Sequence, residues 1–248
     1  MQKESKIKIN QDFFKTWSSD MAYILGFVVA DGSIIKRRNG INSYIFDITS
    51  KDKNILQKIK YILKSEHTIG IKYNSLKMSY NHLTICNREI CEDLMGLGIC
   101  PRKTYNLEPI KVPETYFADY VRGFFDGDGT VYIYDVNKSP QIKSGFVAAR
   151  STFIKDFNKR LCKALKISEK SVHQMKDKRE NTMVQYSVCF YIDDSEKLAK
   201  FMYHDNPTLY LNRKKEIFDQ WKLIKRRHYT KQNYPSKIGW HLNEKILN

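Results

Sequence analysis

The chain has 248 residues, enough for one large domain or two smaller ones with real cores. Lys and Arg number 43 against 27 Asp and Glu, a formal charge of +16, and the longest apolar run, from Met21 to Ala30, is too short to cross a bilayer and ends on an acid. Five cysteines without a Cys-x-x-Cys pair and six histidines without metal spacing exclude a disulfide framework or a zinc knuckle, and point to an intracellular compartment (cytoplasm, nucleoid or organelle matrix) rather than secretion. The basic excess points to a polyanionic partner, nucleic acid first.

In chain order, the first feature is an apolar helical stretch, Ile24-Leu25-Gly26-Phe27-Val28-Val29-Ala30, closing on Asp31-Gly32. Ser33-Ile34-Ile35 then leads through a basic turn (residues 36–40) into residues 44–49, a strand hairpin rich in β-formers. Residues 52–63 carry Ile55, Leu56, Ile59, Ile62 and Leu63 at helical spacing, which predicts a helix packed on that sheet. Strands are predicted over 69–74 and 77–85, and a helix over 88–97 that stops at Gly98. After Pro109 and Pro113 the opening motif returns as Val121-Arg122-Gly123-Phe124-Phe125-Asp126-Gly127-Asp128-Gly129. The same order follows it: strands over 130–136 and 142–149, a helix over 152–165, strands over 172–177 and 182–191, and a helix over 195–202. A helix over 213–227 and a polar tail close the chain. The expected organisation is α+β, with two αββαββα halves (1–108 and 118–228), a linker (109–117) and the tail (229–248).

Gly26 and Ala30 lie four apart, as do Gly123 and Gly127, so each motif helix offers a smooth stripe on which another backbone can pack closely. Asp31 and Asp128 then fall at helix C-termini, where the macrodipole is negative and a second carboxylate is repulsive. A shared divalent cation relieves that cost, and hard oxygen ligands favour magnesium over zinc. Two acids around a metal in a basic protein suggest phosphodiester hydrolysis. By repeat position, Lys103 and Lys214 stand near those acids to neutralise charge on the phosphate or acidify the attacking water.

With both motifs in place, followed by Gly98-Ile99-Cys100-Pro101-Arg102-Lys103-Thr104 and Pro207-Thr208-Leu209-Tyr210-Leu211-Asn212-Arg213-Lys214, the chain resembles the single-chain, two-repeat LAGLIDADG homing endonucleases over about residues 12–227. The resemblance implies pseudo-symmetric halves whose curved antiparallel sheets form a saddle in the DNA major groove. It also implies a monomer on double-stranded DNA with no membrane partner, and magnesium as cofactor, with manganese or calcium able to occupy the same sites. One phosphodiester is then cut on each strand, leaving short 3′ overhangs. Carried onto this chain, Asp31 and Asp128 are the metal-binding catalytic acids, Lys103 and Lys214 support the cuts, and the carbonyls of Ala30 and Gly127 are further metal contacts. The first motif departs by having Val29 where the second has Asp126, which is expected to affect helix-end packing rather than cutting.

Strand alternation aims Ile35, Arg37, Tyr132 and Tyr134 at the DNA, with Ser43, Asp47, Thr49, Lys143 and Arg150 on the second strands and Lys72, Asn74, Gln174, Lys176, Gln185 and Ser187 as further contacts. Different side chains in the two halves imply a long asymmetric target. An intron RNA-splicing maturase and a non-cutting DNA-binding protein on the same fold remain alternatives at this point.

Overall fold

The computed structural model describes residues 7–36, 44–175 and 184–232. After a 3-10 turn at Phe13–Lys15, the first half runs α1 (Ser19–Asp31), β1 (Gly32–Lys36), β2 (Tyr44–Ser50), α2 (Lys53–Ile62), β3 (Ile69–Tyr73), β4 (Ser79–Ile85), α3 (Arg88–Gly96) and the short α4 (Lys103–Asn106). The second half runs α5 (Glu114–Asp128), β5 (Gly129–Val136), β6 (Ser139–Ala148), α6 (Ser151–Leu165), β7 (His173–Met175), β8 (Gln185–Tyr191), α7 (Ile192–Met202) and α8 (Asn212–Gln232). Each half builds one four-stranded antiparallel sheet in the same order, β1-β2-β4-β3 and β5-β6-β8-β7.

Helix α1 starts where the Ser18 hydroxyl accepts the Met21 N–H at 3.1 Å, satisfying an otherwise orphaned donor. From Met21 to Val29 every residue is buried, because α1 is enclosed by its own sheet and by α5. The small-residue stripes meet there. A Cβ on Gly26 would run into the Tyr120 carbonyl, one on Gly123 into the Tyr23 carbonyl, and one on Gly127 into the Ala30 methyl. The two motif helices are thus in backbone-to-backbone contact, the most extensive helix contact among the described residues.

Alternation along the strands divides each sheet into two faces. In the first, Ile34, Phe46, Ile48, Leu83 and Ile85 are buried, with α2 and α3 packed against the sheet. Val131, Ile142, Phe146, Val188 and Phe190 are buried likewise in the second, which α6 and α7 cover. The opposite faces, which carry Ile35, Tyr132 and Tyr191 among other exposed side chains, form the open surfaces described below.

Several boundaries differ from expectation for local reasons. β6 begins at Ser139, three residues early, because Asn137 and Lys138 take positive φ (51° and 64°) and close a two-residue hairpin that pairs Val136 with Ser139. α7 follows β8 directly at Ile192, with Asp193 and Asp194 in its first turn to complement the helix dipole. α4 is a single turn that hydrophobic periodicity cannot register.

Candidate active site

Asp31 and Asp128 are the last residues of α1 and α5, and both are open to solvent at the same end of the helix pair. Asp31 Oδ2 lies 3.4 Å from the place a Cβ on Gly127 would occupy, so the first half's acid sits against the second half's motif. The close packing at Gly26, Gly123 and Gly127 therefore converts a sequence repeat into a pair of neighbouring carboxylates.

Each pair of helix-terminal carbonyls faces a lysine from its own half. Lys103, the first residue of α4, donates its Nζ to the carbonyls of Val29 and Ala30, the latter at 2.5 Å. Lys214, in the first turn of α8, donates to the carbonyls of Phe125 (2.6 Å), Asp126 (2.8 Å), Gly127 (3.3 Å) and Gly129 (2.6 Å). Such bonds satisfy the unpaired carbonyls of a helix end and offset its negative pole.

Surrounding protein strips water from the flanks of these groups and perturbs their protonation. Burial drives the Asp31 carboxyl up to about 6, the charge of Asp128 adds to the effect, and Lys103, Lys214 and Arg213 oppose it. Asp128 is raised for the same first reason, against the pull of Lys103 and Lys214. Burial lowers both lysines to about 8, with the nearby aspartates holding them from falling further. Two carboxylates that resist ionising side by side, with backbone carbonyls next to each, form a hard-oxygen donor set that suits a magnesium-like cation. Among the described residues no three His, Cys, Asp or Glu side chains gather, so the cation's remaining ligands would come from water and phosphate.

Residues 18–95, from the cap of α1 through α3, match the family model of the LAGLIDADG-like domain. The fold is similar to that of LAGLIDADG homing endonucleases of solved structure. The structure of I-LtrWI bound to target DNA matches with a TM-score of 0.54 at 16% identity, covering 90% of this chain and 93% of that one. I-SmaMI, bound to uncleaved DNA with calcium ions, matches at 0.55 and 13% identity over 89% and 95%. A curated relative, the uncharacterized protein MJ0398 of Methanocaldococcus jannaschii, is 26% identical over 188 residues, 73% of this chain. The matched region spans 61% of that relative's length.

On the open face of the first sheet, Ile35 is half exposed on β1, and Asp47 and Thr49 share that face on β2. Asp47 does not stand free. Its carboxylate accepts from Lys72 Nζ (2.8 Å) and Thr84 Oγ1 (2.7 Å), with His82 Nδ1 at 3.3 Å and Thr49 Oγ1 at 3.3 Å. Burial pushes its pKa up, but the bonds from Lys72 and Thr84 and the Lys72 charge outweigh it and hold the group below the ordinary carboxylate range. A side chain on Gly70 would meet the His82 ring, so that glycine leaves the slot in which the imidazole lies. His82 and Thr84 join this face beyond the expected residues, and the alternation Tyr80, His82, Thr84 along β4 carries their signal in the sequence.

On the second sheet, the Tyr132 and Tyr134 rings lie tilted at 53° to each other with centres 5.7 Å apart, and Lys143 Nζ sits 5.3 Å over the Tyr191 ring. Gln185 and Ser187 occupy the same open face by register. Three assignments change. Gln174 pairs with Tyr186, which packs against the core, so it belongs to the other face, and His173 and Met175 take its place. Arg150 is not on a strand: β6 ends at Ala148, and Arg150 precedes α6 with its guanidinium 2.7 Å from Glu108. Asn74 is committed to the β3–β4 turn, where its side-chain oxygen accepts the N–H groups of Leu76 and Met78. Arg37, Ser43 and Lys176 lie outside the described residues.

Proposed function

We propose that this protein is a site-specific, divalent-metal-dependent endonuclease that hydrolyses one phosphodiester on each strand of a long, asymmetric DNA duplex. The observation that carries the reading is the pairing of Asp31 and Asp128, one from each repeated half, at a solvent-open seam where burial raises both carboxyls and the charge of Asp128 raises Asp31 further. The DNA targets bound by I-LtrWI and I-SmaMI, on a shared fold, support the choice of substrate.

Asp31 and Asp128 would hold the cation, with the carbonyls of Ala30 and Gly127 as adjacent donors. The chemistry that a bound magnesium ion supplies is polarisation of a phosphate oxygen and acidification of a water. Lys103 and Lys214, lowered to about 8, stand near neutrality and can hold or release a proton at Nζ beside the reacting phosphate. The open faces of the two sheets bind the duplex, with Tyr132, Tyr134, Lys143, Gln185 and Ser187 in one half and Ile35, Thr49 and the Asp47–Lys72 network in the other. Because these faces differ, the site they read is asymmetric, and one chain carrying both halves acts as a monomer.

The test is to incubate the purified chain and magnesium with a library of random duplexes and sequence the ends produced. The reading expects one long asymmetric site, short 3′ overhangs and no product when the metal is chelated. Tight duplex binding without any cut at any divalent ion would contradict the enzyme and leave a DNA-binding protein. Structured-RNA binding without duplex binding would leave a splicing factor.

A further inference from the structure

The two motif helices are near copies, yet at three buried positions α5 carries charge where α1 is apolar. Where α1 has Ala22, Leu25 and Val29, α5 has Asp119, Arg122 and Asp126, each no more than 2% exposed. Buried charges are retained only where partners meet them. Arg122 pairs with Asp119 at 2.7 Å and donates to the carbonyls of Met202 (2.7 Å) and Leu209 (2.8 Å). Asp126 Oδ2 accepts the backbone N–H of Leu211 at 2.8 Å and the hydroxyl of Tyr23, from α1, at 2.7 Å.

These bonds converge on one segment, the connection between α7 and α8. Arg122 grips it at Met202 and Leu209, and Asp126 grips it at Leu211, the residue from which α8 departs. The Leu211 carbonyl accepts the N–H groups of Lys214 (3.1 Å) and Lys215 (3.2 Å), so the first turn of α8 is built directly on the residue that Asp126 holds. Lys214 is carried on that turn to the carbonyls at the end of α5. The first half has no counterpart to this linkage at its matching positions, which are apolar. Lys103 instead leads α4 after Arg102, whose left-handed backbone (φ 56°) turns the chain into that helix.

We propose that Asp126 is a positioning residue whose effect falls on the second half: by anchoring Leu211 it sets the start of α8, and hence the seat of Lys214 beside Asp128, whereas in the first half it bonds only Tyr23, two turns from the α1 carbonyls that seat Lys103. The inference rests on the endonuclease reading with one half serving each strand. Its consequence is a strand bias. Loss of the anchor slows the cut that depends on Lys214 and leaves the other cut near its normal rate.

The experiment uses the full chain on a supercoiled plasmid bearing the selected site, with magnesium, following nicked and linear product and the cleavage rate of each labelled strand. Asp126→Val installs the residue that stands at position 29 in the first half. It is expected to accumulate nicked circles, with one strand slowed about 10- to 100-fold relative to the other, the scale of a misplaced catalytic group. Asp126→Asn keeps an acceptor for the Leu211 N–H and is expected to restore the strand ratio to within a few-fold of wild type. Asp126→Ser, one atom too short to reach Leu211 but still polar, covers the case in which the valine variant does not fold, and is expected to show the same bias. Equal slowing of both strands by the valine or serine variant overturns the inference, because general destabilisation lowers the amount of active protein and so slows both cuts together. A wild-type chain that cuts neither strand refutes the endonuclease reading instead.

Discussion

Asp31 shows how function is set against stability at a single side chain. Its carboxyl is raised from 3.8 to about 6 on folding, so ionising it opposes the folded state. For an acid raised in this way the penalty is absent below about pH 4, grows between the two values and is complete above about pH 6. Asp31→Asn removes it. Since the tip of Asp31 reaches water, the shift is discounted to about 1 kcal/mol, or about 2–4 °C in a chain of this size. Without divalent ions, Asp31→Asn is therefore expected to melt about 2–4 °C above wild type at pH 7.5 and level with it at pH 4, and added magnesium is expected to narrow the gap. A variant that melts below wild type at pH 7.5 would remove the electrostatic argument. The residue itself was legible because it ends a repeated motif. The Asp47 network was not: Asp47, Lys72, His82 and Thr84 lie on three strands, and only the register that pairs Asp47 with Thr84 and Thr49 with His82 brings them together.

At the scale of elements, the contact between α1 and α5 was the clearest statement in the chain. Small residues four apart are demanded wherever two helix backbones touch, and Gly123 has the Tyr23 carbonyl and Phe27 nitrogen where a methyl would sit. Gly123→Ala forces the helices apart and with them Asp31 and Asp128. The expected cost is about 1–3 kcal/mol or more in chemical denaturation, with loss of metal-dependent activity in the protein that remains folded. Unchanged stability would mean that the helix contact is looser than described. Features carried by one or two residues were harder to read. A strand register slipped by one residue turns every side chain to the other face, which is why Gln174 falls on the core side of its three-residue strand. Arg150 was displaced because the strand ends at Ala148, one residue before its expected end, as the backbone turns into α6. Lys103 was placed by repeat position, but the left-handed Arg102 that turns it toward the end of α1 left no periodic trace.

For the whole molecule, the charge of +16 and the two open sheet faces act together. A protein that neutralises several phosphates along a duplex releases as many counterions, so its affinity falls steeply with salt. Binding to the selected site is expected to weaken by about 10³-fold or more between 50 and 200 mM salt, the loss typical of 6–10 phosphate contacts. A nearly flat response in an equilibrium binding assay would exclude an extended duplex groove. The repeat of helix, sheet and helix was legible across both halves because each hydrophobic period recurs in the same order. The polar clamp around Arg122 and Asp126 was not, since its partners Met202, Leu209 and Leu211 lie some eighty residues further along the chain.

The central claim is that the two halves each donate one acid to a shared hydrolytic centre. It is tested most directly by single-turnover cleavage of the selected duplex by wild type, Asp31→Asn and Asp128→Asn, with DNA affinity measured alongside in calcium. The account predicts that either substitution alone abolishes double-strand cutting while the duplex is bound within a few-fold of the wild-type affinity; linear product formed by either variant at the wild-type rate would contradict it.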